Sequence, residues 1–118
     1  MAAHNDTGRA GEALALDFFR QRGYTLLHTN WRFGHLEVDL IAERAGMLHF
    51  IEVKYRTESQ YGPPEGAVNR KKFNNLKRAA AAYLEQHPQY RDLRFDILAI
   101  AQGLRGEPEF FLIEDVFL

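Results

Sequence analysis

Charged residues interrupt two consecutive apolar segments of this 118-residue chain. The first segment contains Glu37 and Asp39, and the second contains Glu52 and Lys54. Counted at the two-residue period of a β-strand, Glu52 and Lys54 share one face, while Val53 continues the apolar face on the other side. Strands rarely contain carboxylates, which are almost never fully buried without a partner. Acids that converge at strand ends therefore indicate a site for a hard divalent cation.

The elements that position these acids follow from periodicity and turn residues. The first predicted element is a helix that is capped by one of residues 5–7 and ended by Gly23, and a strand over 25–33 follows it. Next come a hairpin of strands 37–42 and 47–55 and a polar loop over 57–66. The last predicted elements are a helix over 68–86 and strands over 93–101 and 109–116. This αβββαββ order predicts a single α/β domain over residues 1–118, with a mixed sheet of about five strands flanked by helices.

The register of the hairpin decides whether the acids meet. If residues 43–46 form a four-residue loop, Ala42 pairs with Met47 and Asp39 lies opposite Phe50. Glu52 is then the diagonal neighbour of Asp39 on the same face, with Cβ atoms about 7 to 8 Å apart. Two carboxylates at that separation can share one cation, whereas a slip of one residue would send them to opposite faces. The predicted metal site therefore depends on this register.

Composition narrows the class of protein. The chain is 46% hydrophobic and 26% charged, which is typical of a folded globular domain, and it has no cysteine, which excludes disulfides, thiolate zinc sites and cysteine nucleophiles. No stretch has the apolar character of a signal peptide or a membrane helix, so we expect a cytoplasmic protein with no membrane partner. The formal net charge of -1 means that any contact with a polyanion must come from local clusters of positive charge.

The same segments resemble a known family. A glutamate in the first predicted helix, Glu12, followed by Asp39 and then by Glu52-Val53-Lys54, resembles the PD-(D/E)xK nuclease superfamily. More closely, five segments are similar to the bacterial YraN-type family, which is itself similar to archaeal Holliday-junction resolvases: residues 11–12, 30–32, 37–42, 52–56 and 94–96. The resemblance covers nearly the whole chain and implies a restriction-endonuclease-like fold.

The resemblance also implies an activity, namely metal-dependent endonucleolytic hydrolysis of nucleic acid, with structured or single-stranded DNA as the expected substrate. Its catalytic residues would be Asp39, Glu52 and Lys54. Mg²⁺ or Mn²⁺ would be held by Asp39, Glu52, the backbone carbonyl of Val53 and, as a further ligand, Glu12, while Lys54 would position or activate the attacking water. Such a cation offsets charge on the phosphate and lowers the pKa of the water, and an ammonium group stabilises the same charge. The similarity to resolvases also implies that this protein is a symmetric homodimer.

Basic residues in two places are candidates for binding nucleic acid. Arg56 follows the second acidic segment, and the others lie in the second predicted helix: Arg70, Lys71, Lys72, Lys77 and Arg78. Positive charge at a helix N-terminus opposes the helix dipole, which favours a role in binding phosphates. A solvated helical face is the alternative.

Other features have simpler explanations. Alternating Glu and Lys residues are common on solvent-facing strands, and the helix dipole favours Glu12 without any function. Arg94 and Asp96 alternate to one strand face, where we expect a structural ion pair, and the five histidines lack metal-ligand spacing. For the whole protein, the alternatives to a nuclease are a catalytically inactive nucleic-acid-binding module with the same fold and a protein-interaction domain.

Overall fold

The computed structural model describes residues 2–57, 70–103 and 106–116. The elements are α1 (Ala2–Gln21), β1 (Thr25–Phe33), β2 (Leu36–Arg44), β3 (Met47–Thr57), α2 (Arg70–Gln86), β4 (Leu93–Gln102) and β5 (Glu109–Ile113). The predicted αβββαββ order and the α/β class are confirmed, and the architecture is compatible with a restriction-endonuclease-like fold. The predicted loop over 57–66, apart from Thr57, and the predicted first two residues of the second helix lie outside the described residues.

The five strands form one mixed sheet in the order β1-β2-β3-β4-β5. Strands β3 and β4 are parallel, and the other neighbours are antiparallel. A parallel pair needs a long crossover connection, and α2 lies in the segment that joins β3 to β4.

Each face of the sheet is covered by one helix. Phe50 of β3 belongs to the apolar cluster that contains Phe73 and Leu76 of α2, whereas the next residue, Ile51, belongs to the cluster that contains Phe19 of α1. Because successive side chains of a strand point to opposite faces, β3 is covered on both sides. No helix in the described ranges is long and apolar enough to cross a membrane.

Helix α1 begins earlier than the sequence predicted. It starts at Ala2, so residues 5–7 lie inside the helix and do not cap it, whereas Gly23 follows its end with a φ of 83° as expected. Gly11 is where α1 approaches β3, because a Cβ atom there would lie 2.6 Å from the Cβ of Tyr55. This close contact, which glycine alone permits, holds the next residue, Glu12, near β3.

The turn between β2 and β3 is shorter than predicted. Arg44 pairs with Met47, so only Ala45 and Gly46 form the turn, with φ values of 54° and 80°. Positive φ at both central residues is what a type I′ hairpin turn requires. The predicted four-residue loop is therefore wrong. An Ala-Gly turn is a weaker sequence signal than Asn-Gly or Asp-Gly, because alanine adopts the left-handed conformation at a cost.

The shorter turn changes the predicted register but keeps the acids together. The ladder ends with Leu40 opposite Ile51, and one further step places Asp39 opposite Glu52 and not opposite Phe50. The predicted pairing of β2 with β3 differs from the observed pairing by two residues. A displacement by an even number of residues leaves each side chain on the same face of the sheet. The two carboxylates are therefore direct neighbours across the strands.

Candidate active site

Asp39 lies where β2 separates from β3. Beyond the last ladder pair, its carboxylate oxygen Oδ2 accepts a hydrogen bond of 2.8 Å from the backbone N–H of Val53. The apolar residues of β2 change sides here, because Val38 packs in the cluster beneath α2 and Leu40 in the cluster beneath α1. The side chain of Asp39 thus connects the two strands at the point where regular pairing stops, and this bond holds it beside Glu52.

Both carboxylates line a small open pocket of about 140 Å³. Residues of β2 and the turn before it form one wall, α2 forms the other, and β3 contributes Glu52. The lining residues are His35, Leu36, Glu37, Asp39, Glu52, Lys72, Asn75 and Leu76. A cavity of this size has room for several water molecules, and therefore for a hydrated ion.

Two lysines balance the charge of Glu52, which is only 5% exposed. The Nζ atom of Lys72, from α2, forms an ion pair with Oε2 of Glu52, and Nζ of Lys54 lies 3.8 Å from the same oxygen. A buried carboxylate without such partners would be strongly destabilising. The structure therefore joins the predicted acid, the predicted catalytic lysine and one predicted phosphate-binding lysine in one cluster.

The ionisable groups of this cluster perturb one another. Burial and the neighbouring charge of Glu52 raise the pKa of Asp39 to about 7, against the lowering effect of the Val53 N–H. Burial and the Lys72 ammonium lower the pKa of Lys54. Burial also acts to lower the pKa of Lys72, but its hydrogen bond to Glu52 and the charge of Glu52 outweigh that effect and raise it. Opposed shifts within one pocket are typical of functional sites.

The donor set fits a hard divalent cation. Asp39 and Glu52 offer carboxylate oxygens from adjacent strands, and Mg²⁺ is usually held by one or two carboxylates with water completing its octahedron. A divalent cation would also relieve the repulsion that contributes to the raised pKa of Asp39. Within residues 2–57, 70–103 and 106–116, no three histidine, aspartate or glutamate side chains converge on a point where they could hold a metal ion. Any ion here would be bound by two carboxylates with help from backbone carbonyl groups or water.

Glu12 lies outside the pocket lining. Its Oε2 atom accepts a hydrogen bond of 2.9 Å from the side chain of Asn30, a residue of β1 with a φ of 51°. Val53 follows Glu52, and its backbone N–H donates to Asp39. The roles of Glu12 and Val53 as metal ligands stay predictions.

The other predicted nucleic-acid contacts extend outward from the pocket. Arg56 lies on β3 two residues beyond Lys54, on the same face by strand period. Four of the five basic residues of α2 have exposed side chains and do not line the pocket: Arg70, Lys71, Lys77 and Arg78. Of these, Lys77 has its Nζ atom 5.4 Å from the centre of the Phe73 ring. Their role in binding phosphates stays a prediction.

Sequence reasoning missed two polar residues of the pocket. Asn75 lies three residues after Lys72, which places both on one side of α2, and this spacing was a usable signal. His35 lies in the turn before β2, and no pattern in the sequence connects it with the acids.

A second polar cluster was also missed, and the expected partner of Asp96 was wrong. Asp96 is 1% exposed, its Oδ2 lies 2.7 Å from Nδ1 of His49, and its Oδ1 accepts a hydrogen bond of 2.9 Å from the backbone N–H of Asp115. Its partner is thus His49 and not Arg94. The two residues share a face by strand period, but Arg94 is exposed near the start of β4 while Asp96 is buried.

Known proteins match this chain over nearly its full length. The model of the uncharacterised protein family UPF0102 matches residues 11–100, a span that includes Glu12, Asp39, Glu52 and Lys54. A UPF0102 protein of Flavobacterium psychrophilum is 37% identical over 117 residues, which cover 99% of this chain and 98% of that protein. A second, from Parabacteroides distasonis, is 40% identical over 99% of this chain and 96% of its own length. A third, from Koribacter versatilis, is 40% identical over 98% of this chain and 81% of its own length.

Proposed function

The chain belongs to the UPF0102 family, the YraN-type family that its sequence resembles, and we propose that it is a metal-dependent endonuclease that hydrolyses phosphodiester bonds in DNA. The observation that supports this most directly is the meeting of Asp39 and Glu52 in a pocket with Lys72, while Lys54 lies beside Glu52. Two acids with two lysines next to them combine ligands for a divalent cation with positive charge for a phosphate.

In the proposed reaction, Asp39, Glu52 and the Val53 carbonyl would hold Mg²⁺ or Mn²⁺, which would supply positive charge to the phosphate and lower the pKa of the attacking water. Lys54, whose pKa is lowered by burial and by Lys72, would orient this water and, in its neutral form, would take up the water proton at Nζ. Lys72 offers its ammonium group to a phosphate oxygen from the opposite wall. The water oxygen forms the new bond to phosphorus, the ester bond to the leaving oxygen breaks, and this oxygen takes a proton from solvent.

Residues around the pocket complete the proposal. Glu12 is included as a further ligand, which requires that its carboxylate leave Asn30. The exposed cations at the start of α2, Arg70 and Lys71, would bind phosphates next to the one that is cut, as would Arg56 on β3. A symmetric homodimer would supply the two active sites that cutting a four-way junction needs.

The test is cleavage of labelled four-way-junction, flap and single-stranded DNA with Mg²⁺ or Mn²⁺. We expect wild type to cut at least one substrate, and Glu52→Gln and Lys54→Ala to lose the activity. The matched control is Glu85→Gln, which removes an exposed carboxylate from α2, away from the pocket lining, and should cut like wild type. Cleavage that persists in Glu52→Gln contradicts the proposal, because the reaction would then arise elsewhere.

One observation favours a second function, that of a nucleic-acid-binding module without turnover. Lys72 already forms an ion pair with Glu52, so the acid has a cationic partner within the protein itself. In that case wild type would bind DNA with an affinity that falls as salt rises, Glu52→Gln would bind equally well, and neither would cut.

A further inference from the structure

Phe33, the last residue of β1, is 49% exposed. A single exposed apolar residue is ordinary, but this ring is nearly parallel to that of Trp31, with 10° between the planes and 6.3 Å between the centroids. Residues two apart on a strand share a face, so the rings form one aromatic surface, here called the Trp31–Phe33 platform.

The core holds this platform in place. The indole of Trp31 packs edge-to-face on Tyr83 of α2, with centroids 5.3 Å apart at 83°. Tyr83 is 2% exposed and makes a similar contact with Phe50, at 5.7 Å. One ring is therefore anchored and the other open to solvent. A rigid aromatic surface loses little conformational entropy when it binds a partner.

The platform lies at the rim of the candidate active site. Phe33 pairs directly with Leu36 across the turn between β1 and β2. Leu36 and His35, from this turn, line the pocket that contains Asp39 and Glu52. A ligand whose phosphate occupies the pocket would therefore have its adjoining groups within reach of the platform.

The two walls of the pocket differ in chemistry. On the α2 side, Lys72 lines the pocket, and the exposed Arg70 and Lys71 begin the helix. On the β1 side, Arg32, which lies between Trp31 and Phe33 in sequence, forms an ion pair of 3.3 Å with Glu37. Phosphates thus find positive charge on one wall, and flat apolar groups find aromatic rings on the other. A nucleic acid strand has both kinds of group along its length, whereas an apolar protein surface would match the rings alone.

We infer that the Trp31–Phe33 platform stacks on unpaired bases, so that the site takes single-stranded DNA or the single-stranded arm of a branched molecule. This inference rests on the proposed function, because it places the strand by a phosphate in the pocket. Bases inside a duplex are stacked on each other and do not offer their faces, so the platform selects against intact duplex.

The test uses the single tryptophan of the chain, Trp31, whose emission reports on the platform directly. Wild type is titrated with labelled oligothymidine of about twelve nucleotides and with the same strand annealed to oligoadenine, in Ca²⁺ so that binding is measured without relying on turnover. Label anisotropy gives the affinity, and quenching of Trp31 locates the contact. We expect the single strand to bind more tightly and to quench Trp31.

Three variants connect the result to the platform. Phe33→Ala should weaken single-strand binding about tenfold and change duplex binding less than about twofold, while Phe33→Tyr, which keeps the ring, should bind like wild type. Phe111→Ala is the matched control, because Phe111 is similarly exposed, at 48%, but lies on β5 at the other edge of the sheet. Its affinities should equal those of wild type, and thermal unfolding checks that all variants fold.

The inference is overturned if Phe33→Ala binds the single strand as wild type does, or if it loses single-strand and duplex binding equally. It is also overturned if Phe33→Ala changes only the oligomeric state in sedimentation, since the platform would then be a contact between copies. Cleavage plays no part in these readouts. If wild type does not cut DNA but Phe33→Ala weakens single-strand binding, the inference holds and the proposed function is wrong. If wild type cuts DNA and Phe33→Ala binds normally, only the inference is wrong.

Discussion

Asp96 and Glu52 are both buried carboxylates of one sheet, 1% and 5% exposed, yet their partners differ. Asp96 is bonded to His49 and to the backbone N–H of Asp115, so both of its oxygens have a partner. Glu52 instead faces a second acid, Asp39, and its charge is balanced by Lys72 from α2 and by Lys54 from its own strand. Both oxygens of Asp96 are therefore hydrogen-bonded within the fold, whereas Glu52 belongs to a cluster in which two carboxylates repel each other.

The difference distinguishes an acid that stabilises the fold from one that is proposed to act in the reaction. A fully hydrogen-bonded carboxylate holds strands and loops together and offers nothing to a ligand. Two acids placed side by side repel each other and raise the pKa of Asp39 to about 7, and the proposed cation would relieve this repulsion. Three substitutions and the addition of Mg²⁺ test this difference.

The largest effect is expected for Glu52→Gln. Loss of a charged ligand and of its electrostatic contribution should reduce DNA cleavage about a thousandfold or more. Glutamine keeps the shape of the side chain, and the relief of repulsion with Asp39 offsets the loss of the Lys72 ion pair, so the free energy of unfolding should change little. Single-turnover cleavage and urea denaturation of the same preparation measure the two quantities. A variant that lost activity only because it unfolded would contradict the assignment.

Asp96→Ala should show the opposite behaviour. Removing the acceptor leaves the buried His49 ring and the Asp115 N–H without their partner, so the free energy of unfolding should fall by about 2 to 5 kcal/mol. Urea denaturation measures the loss. The matched control is Asp92→Ala, whose side chain is exposed near the start of the same strand and should unfold like wild type. Equal stability of the two variants would show that Asp96 is not a structural acid.

Asp39→Asn should stabilise the protein at neutral pH. The pKa of Asp39 lies near 7 in the folded state and at its ordinary value of 3.8 when unfolded, so between these values the folded state binds more protons. Wild-type stability therefore falls as pH rises from about 4 to 7, and asparagine, which can still accept the Val53 N–H, removes this loss. We expect a gain of roughly 1 to 3 kcal/mol at pH 7 that disappears near pH 4. Thermal unfolding between pH 4 and pH 7 measures this gain, and Asp17→Asn, at an exposed position, is the control. A gain in Asp39→Asn that did not depend on pH would contradict the prediction.

The smallest effect is expected from the cation itself. Mg²⁺ at ten times its dissociation constant should stabilise wild type by about 1.4 kcal/mol. The gain should be larger at pH 8 than at pH 6, because Asp39 must lose its proton to bind the ion. Thermal unfolding with and without Mg²⁺ measures it. Asp39→Asn and Glu52→Gln should lose the gain, and the milder variant Asp96→Asn should keep it. An equal gain in all of them would indicate that the ion binds elsewhere.

Local patterns in the sequence predicted much of the fold. The bounds of β1 were predicted to the residue, and the other strands were placed to within a few residues. The start of α1 was missed because Asn5 to Thr7 can cap a helix or lie inside one at small cost. The register of the hairpin was missed because it depends on the turn, and an Ala-Gly turn has no strong signature.

The candidate site was predictable in part for the same reason. The strand period alone placed Glu52 and Lys54 on one face, and Lys72 was among the predicted basic residues of α2. The ion pair between Lys72 and Glu52 was not predictable, because it depends on how α2 packs across the sheet. The bond between His49 and Asp96 joins residues 47 apart in sequence, through the parallel pairing of β3 with β4.

The order of the elements and the shared face of Glu52 and Lys54 could be predicted from the sequence alone, because both follow from periods of a few residues. Which carboxylate has both oxygens hydrogen-bonded and which faces another acid depends on the tertiary structure. Glu52 meets Asp39 because β2 leaves β3 at that pair, and Asp96 meets His49 because a crossover brings β4 alongside β3. Those contacts depend on strand order and register, which are set by the burial of the whole sheet between two helices.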